Sequence, residues 1–133
     1  MAFLLDSDQI ISYLNGRKEI VEKIDNLAEE DLFTSIICVA EVLDGIYGGD
    51  KEDQRLLQLN EFLQDIRTLL IDRKIADQFA KIRSDLRKKG NLIENMDIFI
   101  ASTALIHNLA LITNNNRDFK RIEGLKLYRG ESK

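Results

Sequence analysis

The sequence predicts an α/β domain with a mostly parallel sheet of about five short strands flanked by helices. Two observations carry this prediction. Short apolar runs, too brief for helices, alternate with longer stretches whose apolar residues recur every three or four positions. Proline is absent, so glycine and asparagine punctuate the chain, at Asn15-Gly16, Gly48-Gly49, Gly90 and Asn108. No internal repeat, low-complexity tract or linker interrupts the alternation, and the 133 residues read as one domain, 1–133.

Taken in order, Ala2 to Leu5 is a buried strand cut off by Asp6-Ser7-Asp8. Ile10, Ile11 and Leu14 mark a first helix up to Asn15-Gly16. Ile20, Ile24 and Leu27 mark a second, closing in the acidic Glu29-Glu30-Asp31. Leu32 to Thr34 reads as another strand. The next helix carries Val39, Val42, Leu43, Ile46 and Tyr47 on its apolar side and stops at Gly48-Gly49. Leu56, Leu59, Leu63 and Ile66 give a fourth helix, followed by a strand from Thr68 to Ile71. Ile75, Phe79, Ile82 and Leu86 give a fifth, ended by Arg87-Lys88-Lys89 and Gly90. A sixth opens near Asp97 and runs to Asn108, with Ala101, Ala104 and Leu105 on one face for close packing. Leu109 to Ile112 is a short buried strand, Thr113 to Phe119 a polar loop, and Leu125 to Tyr128 a last edge strand before a polar tail.

Composition removes several function classes. A single cysteine excludes an internal disulfide framework, and a single histidine excludes a multi-histidine zinc site. Phe3 to Leu5 is too short for a signal peptide and no run reaches membrane-spanning length, so the expected setting is cytoplasmic, with no membrane. A net charge of −4 argues against a generic basic nucleic-acid binder. That objection weakens if divalent cations occupy some of the acids. No GxGxxG or GxxxxGK[ST] phosphate loop is present.

The acids stand where such a sheet binds ligands, beyond the carboxyl ends of its strands. Asp6 and Asp8 follow the first strand. Asn114, Asn115, Asn116 and Asp118 follow the strand at Leu109 to Ile112, while Glu41 and Asp97 are read as early helical residues. A carboxylate in a first helical turn is favoured in its charged form by the helix dipole. Four segments can therefore surround one crevice with oxygen donors, a set suited to Mg²⁺ or Mn²⁺ rather than to zinc. Read singly, each acid has a plainer explanation: Asp6 as a helix cap, Asp97 as a first-turn acid, Glu41 as a solvated one. Their joint placement is what points to a metal site. Cys38 reads as a small buried hydrophobe, His107 carries no role, and Arg87-Lys88-Lys89 is a solvated helix end.

The chain resembles the PIN-domain ribonucleases, and among them the VapC-type toxins of toxin–antitoxin pairs. The resemblance rests on L-L-D-S-D at Leu4 to Asp8, with Ile11, Tyr13 and Leu14 behind it, and on A-E-V-L-D-G-I at Ala40 to Ile46. It extends over D-I-F-I-A-S-T-A-L at Asp97 to Leu105, L-I-T-N-N-N-R-D-F at Leu111 to Phe119, and R-I-E-G-L-K-L at Arg121 to Leu127. These segments cover essentially the whole chain, in the family's order and intervals. Asp8 stands where the family commonly has asparagine, and Asn108 where a glycine is usual.

The resemblance implies a PIN-like fold and a catalytic metal site of Asp6, Glu41, Asp97 and Asp118. Asn115 would be a neutral neighbour ligating through its carbonyl or through water, and Thr113 would orient the site by hydrogen bonds. The implied reaction is Mg²⁺- or Mn²⁺-dependent hydrolysis of RNA phosphodiester bonds, with Arg117, Lys120, Arg121 and the Arg87-Lys88-Lys89 run as candidate phosphate contacts, the run being kept out of the site set as a solvated helix end. The implied partners are an RNA substrate, a cognate antitoxin and a second copy of the chain in a homodimer. Exposed Ile and Leu between Glu52 and Leu86 are the expected dimer surface. Two other functions fit the same residues less well: a catalytically silent binding module of the same fold, and a flavodoxin-like phosphoacceptor domain. The second would want a lysine at a later strand end, which Leu69 to Asp72 and Leu109 to Thr113 do not supply.

Overall fold

The computed structural model describes residues 1–28 and 30–129; Glu29 of the acidic helix end and the polar tail 130–133 lie outside them. The chain alternates as expected: β1 (Ala2–Leu5), α1 (Ser7–Leu14), α2 (Lys18–Asn26), β2 (Asp31–Ser35), α3 (Ile36–Ile46), α4 (Glu52–Leu63) and β3 (Arg67–Leu69). It continues with α5 (Arg73–Lys88), α6 (Asn95–Ile106), β4 (Ala110–Ile112) and a single helical turn, α7 (Asn116–Phe119). Asp6 caps α1, Ser35 caps α3 and Asp72 caps α5, each through its own side-chain oxygen.

Every strand pairing is parallel, in the order β3-β2-β1-β4. The chain steps outward from β1 to β2 to β3, then returns to place β4 on the far side of β1. The crossover direction therefore reverses between β1 and β4, and the crevice beyond their carboxyl ends is the ligand position of such a sheet. One hydrogen bond carries the pairing past the last strand residues, from the Asp6 amide to the Ile112 carbonyl at 3.0 Å.

The central strands read as continuous apolar runs because both of their faces are covered. Leu4, Leu5, Leu111 and Ile112 are at most 1% exposed. Helix α6 is buried nearly all round, including Ile98, Ile100, Ala101 and Ala104. Its inward hydroxyls are satisfied within the helix: Ser102 donates to the Ile98 carbonyl at 2.7 Å and Thr103 to the Phe99 carbonyl at 2.8 Å. Asn108 ends the helix in the left-handed region, at φ 56, which asparagine tolerates. Its amide bonds back to Leu105 and the Leu109 amide to Ala104, closing the turn that sends the chain into β4. Phe119, fully buried, anchors α7 beneath the crevice, a burial worth about 1.5–3 kcal/mol.

Two expectations are corrected. The sheet has four strands among the described residues, not about five. Leu125 to Tyr128 makes a single parallel bridge, in which the Leu111 amide donates to the Lys126 carbonyl and the Tyr128 amide to the Leu111 carbonyl. The segment runs beside β4 for one pair of hydrogen bonds, too little to propagate a ladder. The apolar excess expected between Glu52 and Leu86 also shrinks. Leu59, Ile75, Ile82 and Leu86 are buried in the chain's own core, leaving Leu57 and Leu70 as the large exposed apolar residues of that stretch. No described helix is long and apolar enough to cross a membrane.

Candidate active site

The crevice beyond β1 and β4 gathers the acids. Asp6, the first residue after β1, is 5% exposed. Its Oδ1 accepts the Ser7 amide at 2.7 Å, which is the α1 cap, and its Oδ2 accepts the Thr113 hydroxyl at 2.7 Å. Cap and site residue are thus the same side chain. Burial, followed by the charge of Asp8, raises its pKa to about 7, against the lowering effect of the Thr113 and Ser7 hydrogen bonds.

Glu41 reaches the crevice from the second turn of α3, not from an early position. Its Oε1 accepts the Ser7 hydroxyl at 2.8 Å. Donor atoms of Asp6, Glu41 and Cys38 lie within 4.8 Å of one another. The thiol is buried and its pKa pushed up, by burial first and by Asp6 second, so it keeps its proton and points it at Asp6 Oδ1 from 3.9 Å. Sulfur is moreover a soft donor, poorly matched to the hard cations that carboxylate oxygens hold. The donors left in this group are hard oxygens.

Asp97 sits in the first turn of α6, as expected, but the helix dipole does not decide its charge state. Burial, then the charges of Glu41, Asp118, Glu94 and Asp8, raises its pKa to about 6. Asp118, in α7, is its neighbour across Asn115. The Asn115 amide nitrogen lies 3.4 Å from Asp97 Oδ2 and 3.3 Å from Asp118 Oδ2. Asn115 therefore turns its nitrogen, not its carbonyl, to the two carboxylates, because acceptors on both sides call for a donor between them. Ligation through the carbonyl would require the amide to turn over. The backbone amide of Asn115 donates to Thr113 Oγ1 at 2.9 Å, so one hydroxyl links this pair to Asp6.

Of the basic residues expected to meet phosphate, Arg121 is brought to the acids, with Nη2 3.7 Å from Asp118 Oδ1, while Arg117 and Lys120 are exposed. Arg121, Asp118, Asn95 and Glu94 line an open polar cleft of about 380 Å³. Lys89 pairs with Asp85 along its own helix.

Ser7, Gln9 and Lys23 also join the candidate site, and sequence reasoning missed them; Asn114 joins it from the loop where the sequence placed it. Asp8 Oδ1 accepts from Gln9 Nε2 at 3.0 Å and its Oδ2 from the Asn114 amide at 3.0 Å. No spacing in the sequence marks Ser7 or Gln9, because their partners lie 34 and 105 positions away. The adjacency of Ser7 to Asp6 was the one available hint.

The profile of the PIN domain matches residues 3–125 of this chain. The chain belongs to the PIN domain family. Among relatives of this PIN domain, "Ribonuclease VapC1" of Haemophilus influenzae (strain R2866) is 31% identical over 128 residues, covering 95% of this chain and 96% of that one. "Ribonuclease VapC1" of Methanocaldococcus jannaschii is 35% identical over 127 residues, covering 94% of this chain and 85% of that one. Among solved structures, VapBC2 from Rickettsia felis bound to a DNA fragment from their promoter superimposes with a TM-score of 0.89 at 29% identity, covering 96% of this chain and 98% of that one. The parallel sheet and its helices are thus the PIN fold.

The donor chemistry of this PIN domain fits a divalent cation. Its candidate ligands are carboxylate oxygens, and two of the four, Asp6 and Asp97, are held well above the ordinary aspartate range by uncompensated burial and mutual repulsion.

Proposed function

We propose that this chain is a Mg²⁺- or Mn²⁺-dependent endoribonuclease, the toxin of a toxin–antitoxin pair, acting as one cytoplasmic domain over residues 1–133. The observation that carries this reading is the convergence of Asp6, Glu41, Asp97 and Asp118 from separate segments on the β1–β4 crevice, with two of them raised in pKa. The names of the relatives support the ribonuclease assignment, and the VapBC2 structure from Rickettsia felis supports the partner.

In this reading the four carboxylates hold the metal. When bound, the ion supplies positive charge at the scissile phosphate and makes bound water more acidic. The chain's own residues supply placement. Thr113 holds Asp6 Oδ2, Ser7 holds Glu41 Oε1, and Asn115 sets the spacing of Asp97 and Asp118. Such fixed geometry contributes to rate because it need not reorganise during the reaction. Arg121 is the side chain best placed to meet a backbone phosphate in the polar cleft. The antitoxin would inhibit by laying a segment across the acidic crevice. Homodimerisation would use the surface around the exposed Leu57 and Leu70.

The direct test is cleavage of RNA by protein freed of contaminating nuclease, with and without EDTA, followed by sequencing of the new 5′ ends. Activity that Mg²⁺ or Mn²⁺ restores and that Asp6→Asn and Asp97→Asn abolish supports the assignment. Undiminished cleavage in excess EDTA removes the metal from it. Cleavage equally retained by both variants removes the site.

A further inference from the structure

Gln9 is fully buried on the first turn of α1, yet it joins three separate segments through hydrogen bonds. Its Nε2 donates to Asp8 Oδ1 at 3.0 Å and to Asn114 Oδ1 at 3.2 Å; its Oε1 accepts from Lys23 Nζ at 2.6 Å. All of these contacts converge on the loops that present the acids. Asp8 also accepts the Asn114 backbone amide at Oδ2, the oxygen that lies 3.4 Å from Thr113 Oγ1. Asn114 is flanked by Thr113, which holds Asp6, and by Asn115, which holds Asp97 and Asp118.

The chemistry of these groups fixes one orientation. Lysine has donors only, so its contact requires the oxygen end of the Gln9 amide. The nitrogen end must then face Asp8 and Asn114, both of which present acceptors. Turned over, the same amide would set its oxygen against a carboxylate and its NH₂ against an ammonium. Lys23 is itself held in place, half-buried in α2 with its ammonium 6.0 Å from the Tyr128 ring centroid. Sequence length between these groups is irrelevant to the effect: α2 reports on the site only because it packs against α1.

We propose that Lys23 and Gln9 are positioning residues for the metal site: Lys23 sets the orientation of the Gln9 amide, and Gln9 locks the β1–α1 turn to the β4–α7 loop through Asp8 and Asn114. The proposal rests on the metal-dependent nuclease reading and adds to it a contact from α2 that touches neither substrate nor ligand. Its consequence is graded. Gln9 acts one hydrogen bond away from the groups that hold the acids, and Lys23 two.

The test measures Mn²⁺ affinity of the metal-free full chain by electron paramagnetic resonance, together with kcat, KM for RNA and the thermal midpoint. The variants are Gln9→Leu, Lys23→Met, Lys23→Arg and Asp6→Asn. Removing hydrogen-bond partners of metal-binding groups typically costs about 10–100-fold in metal affinity or activity, and the indirect route places Gln9→Leu at about tenfold. Lys23→Met should lose a smaller, severalfold share, with kcat falling and KM for RNA unchanged. Lys23→Arg should recover most of it, since a guanidinium also only donates. Should Gln9→Leu fail to fold, Lys23→Met and Lys23→Arg decide alone, because Lys23 is only half-buried. Wild-type Mn²⁺ affinity and kcat in Lys23→Met overturn the proposal. So does a loss that Lys23→Arg shares, which would mark a packing role. If Asp6→Asn abolishes Mn²⁺ binding while the Lys23 and Gln9 variants keep it, the relay alone fails. If Asp6→Asn also binds Mn²⁺ normally, the metal reading beneath it fails.

Discussion

Ser7 donates its hydroxyl to Glu41 Oε1 at 2.8 Å, joining the first turn of α1 to the second turn of α3. This contact gives Glu41 a defined position that its own helix does not, since it lies too far along α3 for capping. Ser7→Ala should therefore lower Mn²⁺ affinity and kcat by roughly tenfold, the low end for loss of a ligand's hydrogen-bond partner. Ser7→Thr should restore both. Metal titration and steady-state cleavage of the two variants check this; an Ala variant indistinguishable from wild type would show that Glu41 holds itself.

Thr113 is the second hydroxyl on which the site turns, and it lowers the pKa of Asp6 by donating to the ionised carboxylate. Thr113→Val keeps the shape and removes the donor. In the metal-free protein the Asp6 pKa should climb above its already raised value of about 7, and the carboxyl titration profile followed by NMR in EDTA should move to higher pH. Thr113→Ser should return the profile toward wild type. A profile unmoved in the valine variant would exclude Asp6 as the group that titrates.

The metal-free protein should become less stable as pH rises. Asp6 and Asp97 have folded pKa values of about 7 and about 6, above the roughly 3.9 of an unfolded aspartate. Between those limits the folded state binds more protons than the unfolded one, so stability falls with increasing pH. The loss begins near pH 4 and is complete just above 7. For buried Asp6 it is on the order of 4 kcal/mol. Thermal melts in EDTA from pH 4 to 8 should show a falling midpoint; a midpoint that rises through this window would contradict the raised values.

Asp6→Asn should melt higher than wild type in EDTA at pH 7.5 while losing activity. The one side-chain oxygen of asparagine can still cap α1, and its NH₂ then faces Thr113, whose hydroxyl oxygen can accept, so the charge is removed and the contacts persist with one direction reversed. Millimolar Mn²⁺ should raise the wild-type midpoint by mass action and the variant's much less. If Asp6→Asn and Asp97→Asn both melt clearly below wild type in EDTA, the acids are structural and the catalytic assignment loses its physical basis.

The sequence by itself determined the alternation of strands and helices, the turns, and the acids at segment ends. Those are local properties: a period of two or 3.6, a cap, or a left-handed asparagine such as Asn108 acts over a few residues. The last edge strand was read from the same local pattern, but a ladder also needs a partner running alongside it for more than one residue pair. Only the tertiary structure decided that β4 lies beside β1, which sets Thr113 against Asp6 across 107 positions. It alone turned the Asn115 amide nitrogen toward Asp97 and Asp118, and brought Ser7 to Glu41 and Lys23 to Gln9. Strand order and side-chain orientation follow from which buried faces and donors find partners across the whole chain, and no window of neighbouring residues contains that information.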